Sequence, residues 1–391
     1  MRTLGYLSTY LIVCVSLAAG LMFCQSSAQD QQQNSVSDLG VTFEHKVEAQ
    51  YAQGFRISYH ENYKLLEILK PFQNQVDTLR YSLVPREITE HVDIENTREI
   101  PIPVRSLIAT STTHLALTNM LDANDILAGM VGADYVYNPG IRDRIKSGEI
   151  AGFPMGEINK EKVLTMQPDL VMVSGGQSSQ FDNYRVLMKS GIDVIANSEW
   201  METSPLGKAE WVKVMAALLN KEQLANQKFN AVSKKYNELE AAVDKAEEKP
   251  LVINNLPYKG AWFVPGGGSF TANFLRDAQA DYPWFDNSST GGLRKGFESV
   301  YKVGLHADVW LNPGAAKSKE EILAKDSRFK DFKSFQNGAI YNNNRRMSPA
   351  GGNDFWESGV VHPEIILADL IKIFHPNILP GHELYYYQQI N

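Results

Sequence analysis

Two glutamates stand at equivalent places in this chain, and an exposed carboxylate pairs best with a guanidinium. Glu161 opens a short helical stretch that leads to Gln167-Pro168-Asp169-Leu170-Val171-Met172-Val173, and Glu298 opens one that leads to His306-Ala307-Asp308-Val309-Trp310-Leu311. A carboxylate in the first turn is favoured by the helix N-terminus and stays in water, so a plain helix-start preference accounts for either residue alone. Their recurrence before strands of one kind favours a second use. Two carboxylates at a set separation can meet two arginines on a two-fold symmetric partner.

Other residue types suit holding a ligand. Aromatic faces accept flat or aromatic ligands, and arginines accept carboxylates or anionic chelates. The candidates are His114, Tyr135, Tyr137 and Trp200 in the first half, and Trp262, Trp284, Arg345, Arg346, Phe355 and Trp356 in the second. Packing or an exposed loop role is the plainer explanation for each alone. Catalytic patterns are missing: the eight histidines lack the His-Glu-x-x-His spacing of a metal site, and no nucleophile elbow occurs. Pro265-Gly266-Gly267-Gly268-Ser269 lacks the Lys-Ser/Thr of a phosphate loop and reads as a flexible turn bringing a helix towards a cleft. No catalytic residue, resident metal or cofactor is expected.

Elements that could present these residues follow from periodicity. Residues 41–203 begin with three strands of an antiparallel leader sheet, Phe55–Tyr59, Tyr63–Leu69 and Thr78–Val84. Strands then alternate with helices: strands at Ser106–Thr110, Ile126–Val131, Leu170–Ser174 and Asp193–Ala196, helices at Thr113–Leu121, the Glu161 stretch and Tyr184–Ser190. Residues 204–249 form a linking helical region opened by Ser204-Pro205. Its apolar stripe Ala225, Phe229, Val232, Tyr236, Leu239 and Val243 predicts a helix from about Lys221 to Glu247, on the order of 40 Å at 1.5 Å per residue. The alternation resumes over residues 250–391, including Leu251–Asn255, Trp262–Val264, Ser269–Ala278, Val309–Asn312, Ala339–Asn343 and a closing helix Pro363–Phe374. The fold class is therefore α/β, with two Rossmann-like lobes joined by a single long helix.

Composition narrows the setting. With 38 Lys and Arg against 45 Asp and Glu, the net charge is −7 and no basic block occurs, so nucleic acid is not an expected partner. Arg2, the apolar run Leu11–Phe23 and Ser26-Ser27-Ala28 read as a signal peptide over residues 1–28, followed by a polar spacer over 29–40. Lipidation at Cys24 is the alternative, although Leu21-Met22-Phe23 precedes it where a small residue is preferred. Both cysteines, Cys14 and Cys24, lie in this leader, so a chain beginning near Gln29 has no disulfide.

The chain resembles the periplasmic substrate-binding proteins of iron-complex and cobalamin ABC importers. The resemblance runs through Pro101-Ile102-Pro103-Val104-Arg105, Ser106 to His114, Gly156 to Asp169, Pro205 to Trp211, and Asn353-Asp354-Phe355-Trp356-Glu357. It implies a monomer that captures a metal chelate, a ferric siderophore, haem or cobalamin, between its lobes. It further implies that Glu161 and Glu298 contact arginines of the importer permease, although Glu161 precedes Asp169 by eight residues and Glu298 precedes Asp308 by ten. An exported two-lobed enzyme, such as a nucleotide-sugar transferase, and a carrier of free metal using His114 are the rival readings. A continuous helix between lobes also implies a small closing motion.

Overall fold

The computed structural model describes residues 41–73, 77–91, 94–156, 158–176 and 181–391; the leader with Cys14 and Cys24, and the spacer, lie outside the described residues. The first strands are β1 (Phe55–Tyr59), β2 (Lys64–Ile68), β3 (Leu79–Pro85) and β4 (Arg98–Ile102). β1 to β3 pair antiparallel, as the alternating pattern requires, and β4 adds to β3 in parallel. That fourth strand departs from the three-stranded expectation. Pro101 within it and Pro103 just after it mask a strand that borders the sheet on one side only.

The N-terminal lobe follows as β5 (Leu107–Ala109), α1 (Thr112–Met120), β6 (Leu127–Val131), α2 (Pro139–Ser147), β7 (Ala151–Phe153), α3 (Lys160–Met166), β8 (Leu170–Ser174), α4 (Arg185–Lys189) and β9 (Asp193–Asn197). Its five strands are all parallel in the order β7-β6-β5-β8-β9. Side-chain caps start the helices: Ser111 accepts the Thr113 N–H on α1, and Asn159 accepts the Lys162 N–H on α3. α2 and β7 were not anticipated, because a three-residue strand carries too little alternation to be read.

The link comprises α5 (Pro205–Ala209), α6 (Val212–Leu219) and α7 (Glu222–Val243). α7 buries the expected stripe Ala225, Phe229, Val232, Tyr236, Leu239 and Val243 and spans about 33 Å. Buried carboxylates at and just before the start of this link tie down the segment that leads into β1. Glu210 accepts the N–H groups of Gln50, Tyr51 and Ala52 and pairs with Lys213 at 2.6 Å, while Glu202 accepts those of Gln53 and Gly54. Lys64 of β2 pairs with Glu222 at 2.5 Å in the interior.

The C-terminal lobe contains β10 (Val252–Asn254), β11 (Pro257–Tyr258), β12 (Ala261–Pro265), α8 (Phe270–Asp277), β13 (Gly292–Lys295), α9 (Phe297–Gly304), β14 (Val309–Leu311), α10 (Lys319–Leu323), α11 (Lys333–Gln336), β15 (Ile340–Asn342), α12 (Pro363–Phe374) and β16 (Gln388–Gln389). Strands β10, β14 and β15 run parallel, with β16 antiparallel at the edge. The expected strand around Trp262 lies in a separate antiparallel sheet, β11-β12-β13. Rings of Trp262, Trp310, Phe329 and Phe332 pack at centroid separations of 5.2 to 6.4 Å and form the lobe's aromatic core. Among the described residues no helix is long and apolar enough to cross a membrane.

Candidate ligand cleft and docking residues

In parallel α/β lobes, ligands gather at the carboxyl ends of the strands, because the loops there can diverge without disturbing the sheet. On the N-terminal lobe these ends surround a depression of about 720 Å³, lined by Thr110, Val131, Met155, Ser174, Phe181 and Tyr184 among others. On the C-terminal lobe a smaller recess of about 30 Å³ lies over the ends of β14 and β15, between Phe270, Asn312, Asn343, Phe355, Trp356 and Tyr387. A third pocket, of about 190 Å³, lies between the lobes and is lined by Asn119 and Tyr137 on one side and Arg346, Glu357 and Tyr385 on the other.

The sequence candidates divide sharply by burial. Tyr135, Trp200 and Trp356 are exposed on loops that follow β6, β9 and β15 respectively. Trp356 stands edge-on to the buried Phe355 at 4.7 Å, and the Trp200 indole N–H donates to the Gly175 carbonyl. Arg346 lies over the rings of Tyr385 and Tyr137, at 4.1 and 5.1 Å, and its Nε donates to Asp354 at 2.6 Å. The stack restrains the guanidinium as a rigid plane at the lobe boundary. Arg345 is exposed and donates to the Leu384 carbonyl.

Three candidates face inward instead. His114 is fully buried in α1, and burial pulls its pKa down to about 3, against a weaker opposing hydrogen bond with the Met172 backbone. It is a neutral core residue, which removes the basis for a free-metal site built on it. Trp262 is fully buried in the aromatic core, its indole N–H donating to the Asn254 carbonyl, and Trp284 packs edge-on against Tyr282. Burial thus corrects His114, Trp262 and Trp284 as cleft-facing contacts. Next to Trp262, Phe263 is exposed and sits in register with Arg294 on β13, a side-by-side aromatic and cation that sequence reasoning missed. Alternation offered the signal, since only one of two neighbouring strand residues can face the core.

The glycine turn is likewise not a cradle. Gly266 and Gly268 donate to the carbonyls of Gly291 and Ser289, and a Cβ on Gly267 would lie 2.4 Å from two more carbonyls, so this turn is packed tightly against residues 284–291. The N–H groups of Gly266, Gly268 and Ser269 are engaged internally rather than offered to a phosphate.

Both docking candidates are exposed in the first turn of their helices, α3 and α9. Each helix runs towards the start of the next parallel strand, so each N-terminus lies on the carboxyl-end side of its lobe. Their surroundings differ. Arg328 donates to Glu298 at 3.2 Å while also pairing with Asp326 and lying 4.0 Å over the Phe297 ring. Glu161 makes no ion pair among the described residues.

Residues 107–344 match the model of a family described as periplasmic binding protein. The chain belongs to that family. An uncharacterized lipoprotein of Methanocaldococcus jannaschii is 25% identical over 310 residues, covering 76% of this chain and 71% of that protein. Among solved structures, a possible iron-binding (periplasmic solute-binding) protein from Staphylococcus epidermidis has TM-score 0.55 at 17% identity, covering 69% of this chain and 98% of that one. A periplasmic heme binding protein from Pseudomonas aeruginosa has TM-score 0.55 at 14% identity, covering 74% and 95%. These likenesses show the two-lobed fold. The leader sheet β1 to β4 precedes the residues matched by the family model. Among the described residues, no group of three or more His, Cys, Asp and Glu stands close enough to hold a bare metal ion.

Proposed function

We propose that this binding protein is exported, acts as a monomer, captures a metal chelate between its lobes and delivers it to an ABC importer. The observation that supports this most directly is the pair of exposed first-turn carboxylates, Glu161 and Glu298, on the same end of their lobes as the aromatic cleft loops. In this reading the two glutamates meet arginines of the permease. Tyr135, Trp200 and Trp356 supply ring faces to the ligand, with Tyr137, Arg345 and Arg346 at the lobe boundary supplying hydrogen-bonding and positive groups. A ferric siderophore, haem and a corrinoid all suit such a lining. The relative that is a lipoprotein favours anchoring through Cys24 over a freely soluble product.

The test is to purify the exported protein and read any bound species by absorbance and mass spectrometry, then to titrate the stripped protein with ferric siderophores, haem and cobalamin. Tight binding of one class, without turnover and weakened by Trp356→Ala, is the expected result. Binding of a nucleotide sugar with hydrolysis or transfer, and of no chelate, would overturn the reading.

A further inference from the structure

The first helix of the link brings one buried cation to the place where both lobes meet. Lys208 of α5 is only 7% exposed, and its ammonium lies 4.6 Å over the ring of Phe270, the first residue of α8 in the C-terminal lobe. A second tie crosses nearby, since the Asn273 side-chain amide of α8 donates to the Thr203 carbonyl just before α5. On the N-terminal side stand Asn197, which ends β9, and Glu199 in the short turn that follows. Both are buried, and the Asn197 amide donates to Glu199 at 2.8 Å. The carboxyl end of β9 is on the cleft side of its lobe, and Phe270 lines the recess over the ends of β14 and β15, so this cluster lies at the base of the cleft.

The two charges of this cluster are unequally served. Donors surround the Glu199 carboxylate: the Asn197 amide, Thr113 of α1 and the Trp200 N–H. The Lys208 ammonium, by contrast, has neither a hydrogen-bond acceptor nor an ion-pair contact among the described residues, and its end is not sealed from solvent. Glu199 attracts it only from a distance. A buried ammonium short of acceptors carries a desolvation cost that an arriving anionic oxygen offsets. We propose that Lys208 anchors a carboxylate at the base of the cleft, where the Phe270 ring shields the contact from water. One ammonium beside one buried carboxylate can compensate a single added negative charge but not two, which favours a carboxylate over a phosphate dianion. That the carboxylate belongs to the cargo rests on the carrier reading; the site itself does not.

The experiment titrates the empty, full mature chain with benzoate and with benzamide, its uncharged counterpart, following the Asn197 side-chain amide and the Trp200 indole N–H by NMR. Benzoate should bind about tenfold or more tightly than benzamide. Lys208→Met, which keeps the length and removes the charge, should erase that preference, and Glu199→Gln should raise the affinity for benzoate by removing a repelling charge. Equal binding of the two probes by the unaltered protein, an undiminished preference in Lys208→Met, or weaker benzoate binding by Glu199→Gln would each overturn the anchor. Should Lys208→Met fail to fold, the unaltered protein and Glu199→Gln still decide. Hemin against its dimethyl ester then separates the sources: a preference for the free acid that vanishes in Lys208→Met assigns the carboxylate to cargo, whereas a benzoate preference with no chelate bound sinks the carrier reading and leaves the anchor standing.

Discussion

The rims of the two lobes carry equivalent glutamates in unlike surroundings. Glu161 projects from α3 without an ion pair among the described residues, whereas Glu298 shares Arg328 with Asp326 on a platform made by Phe297. A repeated local pattern therefore specifies equal positions but not equal availability. A partner arginine arriving at Glu298 meets a competing guanidinium; one arriving at Glu161 does not. The lobes also differ in their sheets. The N-terminal lobe proper is built on one parallel sheet, while the C-terminal lobe adds to its own the small sheet β11-β12-β13, whose inner face anchors the aromatic core and whose outer face carries Phe263 and Arg294.

That contrast can be broken most forcefully inside the C-terminal lobe. Trp262→Ala should cost about 3–5 kcal/mol by opening a cavity among Trp310, Phe329 and Phe332. Calorimetry should then resolve a C-terminal-lobe transition below that of the N-terminal lobe, and Phe263→Ala one residue away should leave the profile nearly unchanged. Were the two substitutions to cost the same, the division of β12 into a core face and an outer face would be wrong.

On the N-terminal side, the test is protonation of His114. Its folded pKa is depressed by burial to about 3, below the unfolded value of 6.5, so the unfolded chain takes up the proton first as pH falls. Stability is lost below about pH 6.5, by about 2 kcal/mol at pH 5. Half-buried carboxyls pull the opposite way, since desolvation raises Asp193 to about 7 and Asp277 to about 6. The clean readout is a difference: denaturation midpoints of His114→Leu and the unaltered protein should diverge between pH 7 and pH 5, with the variant losing less. Parallel curves would mean that the imidazole is hydrated or paired.

The smallest effect concerns the pegs themselves. Removing a charge-assisted contact to a permease arginine should weaken docking about tenfold or more for Glu161→Ala. Glu298→Ala should weaken it less, because Arg328 already occupies that carboxylate, and Arg328→Ala should strengthen docking through Glu298. Surface plasmon resonance against the reconstituted importer reads all three. Equal losses at Glu161 and Glu298 would erase the asymmetry.

Much of this molecule was legible before its structure. The closing helix Pro363–Phe374 and the strand Leu170–Ser174 lie where periodicity puts them, and the α7 stripe from Ala225 to Val243 is buried as its spacing requires. The candidate site was half legible. At Trp262-Phe263 and again at Phe355-Trp356, two adjacent aromatics compete for the interior, and in each pair one is buried and its neighbour exposed. Either choice satisfies alternation; the neighbouring sheet and helices choose between them. His114 illustrates the same limit on a helix, where one residue's rotation separates a loop-facing side chain from a buried one.

Local order, then, followed from the residues themselves: helix caps such as Ser111 and Asn159, the amphipathic run of the link, and the succession of strands and helices that makes two lobes. These depend on interactions between near neighbours in the chain, which leave a periodic trace. The grip of Glu357 on Tyr137, 220 positions away, and the claim of Arg328 on Glu298, 30 positions away, leave no such trace. They exist because packing of whole elements brings distant groups within hydrogen-bond reach, and no spacing along the chain encodes that.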